Sequence, residues 1–172
     1  LFFKVRSISL ILLCSVFFCA CGYRFAGSGE FPEGVKKIFI EVFENRTSKI
    51  GIERVVTNQI VFEFTRQRES GLAGSPDDAD AVLKGVVTGI STRTISRIGT
   101  EVANEREVFL TVNLKLIKRG GEIVWAADGL SDQEAFDVTE NKLETDRNES
   151  LAVARLSERM SERIFSRLTE NF

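Results

Sequence analysis

The chain has 172 residues, 23 Lys and Arg against 25 Asp and Glu, no histidine, and 43% hydrophobic side chains. That length and balance describe one compact folding domain and not a disordered chain. The absence of histidine excludes Ser-His-Asp and Cys-His catalysis, imidazole-held metals and a histidine pH switch. The three cysteines, Cys14, Cys19 and Cys21, all fall in the first 21 residues, so the body can form neither a disulfide framework nor a thiolate metal cluster.

The chain begins with Lys4 and Arg6, followed by an apolar run from Ile8 to Phe18 broken only by Ser9, Cys14 and Ser15. The whole uncharged stretch, Ser7 to Tyr23, is 17 residues. A transmembrane helix needs ~20, so the pattern reads as a signal peptide over residues 1–20. Phe18-Cys19-Ala20-Cys21 resembles a bacterial lipobox, with Cys21 as the lipidated first residue of the mature protein. Phe18 stands where leucine is commonest, and Cys19 is unusual at the middle position. Diacylglycerol plus an N-acyl chain such as palmitate on Cys21 exceeds the two-signal threshold for stable membrane attachment. By analogy with lipoproteins, Gly22 at the next position favours the outer membrane. Without residues 1–20 the chain keeps 152 residues and a net charge of −4. A mildly acidic body argues against nucleic-acid binding.

Residues 21–35 read as the lipidated N-terminus and a tether, through Ala26-Gly27-Ser28-Gly29 and Phe31-Pro32-Glu33-Gly34. A single domain is expected over residues 36–172. Lys37 to Phe43 is a strand with Ile38, Ile40 and Val42 on one face, and Asn45-Arg46-Thr47-Ser48 is a turn. From Gly51, the residues Ile52, Val55, Val56, Ile60 and Phe64 recur at helical spacing. Val61 and Phe62 widen that face, which predicts a helix to about Gln67 with most of its surface buried. Ser70 to Asp78 is a loop. Ala81 to Val87 is a strand in which Gly85 and Gly89 mark bending or close packing.

Ser91 to Glu107 is polar and basic, and suits a long hairpin end or exposed loop. Val108, Leu110, Val112, Leu114 and Leu116 then alternate with polar or bulky neighbours, the pattern of a half-buried strand. Arg119-Gly120-Gly121-Glu122 predicts a type I′ hairpin turn, and Ile123 to Ala127 the returning strand, with Trp125 in the core. Asp146 and Glu149 read as a capping pair for a last helix whose Val153, Leu156, Met160, Ile164 and Leu168 form one stripe. The order implies an α+β two-layer sandwich, two helices on one face of a small, about four-stranded, mostly antiparallel sheet.

Several segments together resemble the LptE family of lipopolysaccharide-assembly lipoproteins. They are Cys21-Gly22-Tyr23-Arg24-Phe25, Val42-Phe43-Glu44-Asn45-Arg46-Thr47 and Ala79-Asp80-Ala81-Val82-Leu83-Lys84-Gly85. Leu110-Thr111-Val112-Asn113, Ile123-Val124-Trp125 and Asn148-Glu149-Ser150-Leu151-Ala152 continue the match in order across the mature chain. The resemblance implies a non-enzymatic protein that plugs and helps assemble the LptD β-barrel in the outer membrane and binds lipopolysaccharide. Its phosphates and carboxylates call for exposed arginine and lysine. Arg93, Arg97, Arg106 and Lys115 are the candidate contacts; solvated cations that protect a strand edge are the plainer reading.

Arg155, Arg159, Arg163 and Arg167 recur every four residues on the last helix. They read either as a face for an acidic barrel wall or as surface pairs with Glu158 and Glu162. Asp77, Asp78 and Asp80 lack the rest of a calcium loop, so no metal or other cofactor is expected beyond the lipid on Cys21. Carboxylate-pair hydrolysis is the one enzymatic route left open, and no Asp or Glu sits in a context for it. The alternative function is an envelope lipid carrier acting without a barrel, which would need an apolar cavity.

Overall fold

A computed structural model describes residues 31–95 and 105–169. In chain order it has β1 (Ile38–Ile40), β2 (Glu44–Asn45), α1 (Ile52–Arg68), β3 (Ala81–Ile95), β4 (Glu105–Lys118), β5 (Ile123–Asp137) and α2 (Lys142–Thr169). The strands form one five-stranded sheet in the order β1-β3-β4-β5, with β2 following β1 along the same edge of β3. β1 and β2 run parallel to β3, and the other pairs are antiparallel. Both helices pack on one face and against each other, α1 over β2 and β3 and α2 over β4 and β5, and together they close the core. The architecture is therefore the two-layer α+β sandwich that the residue pattern predicts, with a mixed sheet of five strands.

The first strand departs from its simple alternation. The chain leaves β3 after Ile40, Val42 is 63% exposed, and Phe43 turns inward in its place. The reason lies in Gly85: a β-carbon there would stand 2.4 Å from the Phe43 ring, so the glycine is the recess that the ring fills. Thr57 fixes the crossing, accepting from the Phe43 amide at 3.0 Å while donating to the Glu53 carbonyl at 2.6 Å.

α1 buries Ile52, Val56, Ile60 and Phe64 as the spacing predicts, but Val55, Val61 and Phe62 face outward, Phe62 at 59% exposure. The expectation of a mostly buried helix is corrected. α1 touches the sheet on one side and α2 on another, so a single stripe suffices. The buried Glu63 is neutralised locally by Arg66, with Gln67 donating to it at 3.0 Å. Phe31 and Val35, inside the tether read from the sequence, are buried, and Phe31 stacks on Phe64 with centroids 6.4 Å apart.

Val108, Leu110, Val112, Leu114 and Leu116 are all buried on β4. The turn after β4 is not type I′, because of its two glycines only Gly121 has positive φ, at 87°. The Gly121 amide donates to Lys118 O at 2.9 Å and the Lys118 amide to Glu122 O at 2.9 Å, the pattern of a three-residue turn closed by a glycine bulge. Trp125 packs half-buried against the core, opposite Leu116. β5 then runs ten residues past Ala127 to Asp137, bulging at Gly129, whose amide donates to Asn113 Oδ1 at 2.8 Å.

α2 begins at Lys142, ahead of the expected Asp146–Glu149 cap. Asn141 caps it instead, its Oδ1 accepting from the Leu143 amide at 3.0 Å, and Asp146 pairs with Lys142 one turn back at 2.7 Å. The predicted stripe of Val153, Leu156, Met160, Ile164 and Leu168 is buried throughout.

Candidate functional site

The unequal lengths of the elements create an overhanging arm. α1 has 17 residues and α2 has 28, so at 1.5 Å per residue they span roughly 26 and 42 Å. β2 pairs with β3 only at Val86 and Val87. There Asn45 turns the chain away: its Oδ1 accepts from the Thr47 amide at 2.8 Å, and its Nδ2 donates to Lys49 O and Glu53, each at 2.9 Å. β3 bulges between Val87 and Gly89 and continues to Ile95, paired with β4 alone among the described residues.

Two of the candidate cations sit on this arm. Arg93 lies opposite Glu107 on the sheet face away from the helices. Its side chain is 70% exposed, 3.4 Å from Glu107 and 4.7 Å from the Phe109 ring centroid. Arg106, between Thr94 and Phe136, is in phase with the buried Val108 and Leu110, so it lies on the helix side of the same arm and is exposed. Lys115 shares Arg93's face but lies eight residues past Glu107 along β4, roughly 26 Å away at the opposite half of the sheet. There it pairs in register with Lys84, whose ammonium is held by Glu41 at 3.1 Å. Arg97 and Cys21 lie outside the described residues. Among the described residues the arm thus presents one guanidinium on each face, and Lys115 belongs to a different place.

The arginines of α2 do something else. Arg155 reaches Glu134 at 2.7 Å, Arg159 reaches Glu134 at 2.7 Å, and Arg163 reaches Asp132 at 2.7 Å. Arg159 and Arg163 also donate to the Gln133 and Ser131 carbonyls at 2.8 and 3.0 Å, and Asn148 donates to Asp137 O at 3.0 Å. These contacts bind α2 along the outer edge of the second half of β5 and occupy the carbonyls of Ser131, Gln133 and Asp137. The expected pairing with Glu158 and Glu162 does not describe these three, whose acids lie on β5, and Glu162 instead meets Arg66 of α1 at 3.3 Å. The partner acids, Asp132 and Glu134, lie on the second half of β5, where no simple apolar alternation marks a strand in the sequence. Burial raises the Glu134 pKa, but hydrogen bonds from Arg155 and Arg159 outweigh it and hold the carboxyl below its ordinary value.

The acidic turn before β3 is structural. Asp80 Oδ2 accepts from the Lys37 and Lys36 amides, each at 2.9 Å, and these bonds lower its pKa. Arg119 closes the turn from the far side by donating to the Ala79 and Asp77 carbonyls. A cleft of about 270 Å³ lies at the arm end of α2, lined by Glu105, Phe136, Asp137, Asn148, Leu151 and Arg155. Among the described residues no group of acidic or cysteine side chains could hold a metal, and no helix is long and apolar enough to cross a membrane.

Fold and site together define a small α+β module built around a polar arm. The lipopolysaccharide-assembly family LptE matches residues 35–168, and the chain belongs to that family. No curated protein sequence matches it. Among solved structures, it resembles a putative lipoprotein from Caulobacter crescentus CB15 at 15% identity, covering 74% of this chain and 88% of that one, with a TM-score of 0.53. A minor lipoprotein from Acinetobacter baumannii matches at 15% identity over 78% of this chain and 92% of that one, TM-score 0.52. The uncharacterized lipoprotein B from Nitrosomonas europaea shares 9% identity over 83% and 86%, with a TM-score of 0.57. At these identities the likeness is one of fold.

Proposed function

We propose that this chain is a lipid-anchored outer-membrane protein, acylated at Cys21, that seats in the lumen of an LptD-type β-barrel and helps assemble it. Bound there, it contacts lipopolysaccharide through Arg93, Arg97 and Arg106, without Lys115 at the far half of the sheet, and it catalyses no reaction. The observation that carries this reading is the family match across residues 35–168. The physical character of the body agrees with it. Large barrels have polar interiors, and this domain completes its own core while presenting charged strands and helix faces outward. Arg93 and Arg106 expose a guanidinium on each face of the arm, and guanidinium forks suit phosphate and carboxylate groups.

The test is affinity purification of the tagged full-length chain from native membranes in mild detergent. A stoichiometric large β-barrel is the expected partner. Replacing Arg93 and Arg106 together by alanine is expected to keep the barrel but lower the lipopolysaccharide recovered. A chain that purifies alone with bound lipid would overturn the reading.

A further inference from the structure

The two edges of the sheet are treated differently. On β5, guanidiniums from Arg159 and Arg163 and the amide of Asn148 occupy the carbonyls of Gln133, Ser131 and Asp137. On the other edge, β1 pairs with Ala81 to Leu83 of β3, and β1 is in turn bridged by Leu72, with the Ala73 amide on Ile38 O at 2.9 Å. β2 covers Val86 and Val87, and the Arg46 amide donates to Val87 O at 2.9 Å before Asn45 turns the chain off the sheet. From Thr88 to Ile95 no described strand pairs with that side of β3, and Ser91 to Thr94 are exposed.

A bare row of strand amides and carbonyls is a template for another strand. Unpaired on that side among the described residues, this row is Thr88-Gly89-Ile90-Ser91-Thr92-Arg93-Thr94-Ile95, free of proline and rich in β-branched residues. We infer that the β3 edge over residues 88–95 accepts an extended strand of a partner protein that carries a carboxylate opposite Arg93. The charge requirement comes from Arg93, whose one carboxylate partner among the described residues, Glu107, lies on the β4 side at 3.4 Å while the guanidinium side chain is 70% exposed. A second copy fits less well. Antiparallel self-pairing about Thr92 sets two Arg93 side chains on one face as diagonal neighbours, roughly 7–8 Å apart, and brings no new acid between them. The inference goes beyond the proposed function and needs neither the anchor nor lipopolysaccharide.

The test is backbone hydrogen exchange of the full chain in mild detergent, read over residues 88–95. The probe is a nine-residue peptide of alternating valine and threonine with one central glutamate. Saturating probe is expected to slow exchange over that segment about tenfold, and the same peptide broken by two prolines is expected to leave it unchanged. A peptide with lysine in place of the glutamate is expected to bind more weakly, and Arg93→Gln, which removes only an exposed ion pair, to erase that difference while leaving the unfolding midpoint nearly unchanged. Unchanged exchange with the glutamate peptide overturns the inference. So does protection without any probe, whether it grows with protein concentration, which would place a second copy there, or not, which would place this chain's own residues there.

Discussion

Gly85 and Phe43 show how much one backbone position can decide. The ring occupies the space a side chain at 85 would need, at 2.4 Å from an added β-carbon. Gly85→Ala must therefore push Phe43 out of a buried site. Overpacking of this kind costs about 1–3 kcal/mol, readable as a lower urea midpoint, and Phe43→Leu in the same chain is expected to restore part of it. Glycine in a strand was a legible sign of close approach; its partner was not, because Phe43 comes inward only through the break after Ile40. Asp80 likewise looked like part of an acidic turn, and only the fold brings the Lys36 and Lys37 amides to its carboxylate.

At the level of elements, α2 carries two expectations. Asn141 caps it and Asp146 does not. Asn141→Ala is expected to lower the unfolding free energy by about 1 kcal/mol, whereas Asp146→Ala, which removes an exposed ion pair, is expected to change it by less than about 0.5 kcal/mol. Denaturant titration of both variants checks the assignment. The second expectation concerns pH. Glu134 is held below its ordinary value near 4.5, so the unfolded chain takes up its proton first as the solution is acidified. Its contribution is complete above that value and is lost as pH falls through the lower folded value. Glu134→Gln should therefore be less stable than the parent near neutrality and lose less stability between pH 6 and about pH 3. The period-four arginine row was plain in the sequence. Its acids were not, since strand and helix partners 21 to 31 residues apart meet only through the β5–α2 packing.

For the whole molecule, the proposed anchor gives an expectation that no internal contact affects. Cys21→Ser is expected to move the chain from the membrane pellet to the soluble fraction on alkaline or high-salt washing, with unchanged thermal unfolding, because two or more acyl chains set membrane residence. Immunoblotting of the fractions checks it. The core alternation of β4 and the apolar stripe of α2 were readable because strand and helix periods are local properties of the backbone, and any single buried face imprints them on the sequence. The same holds for the missing histidines and the early cysteines, which limit chemistry before any folding. Tertiary structure alone decided that α1 would leave Phe62 outside, that the α2 arginines would bind β5, and that β3 would outrun its neighbours. Those outcomes depend on element lengths and on which faces meet. A long β3–β4 pair beside a short β2 leaves an arm, and no local pattern in the residues of that arm records that its neighbour ends at Asn45.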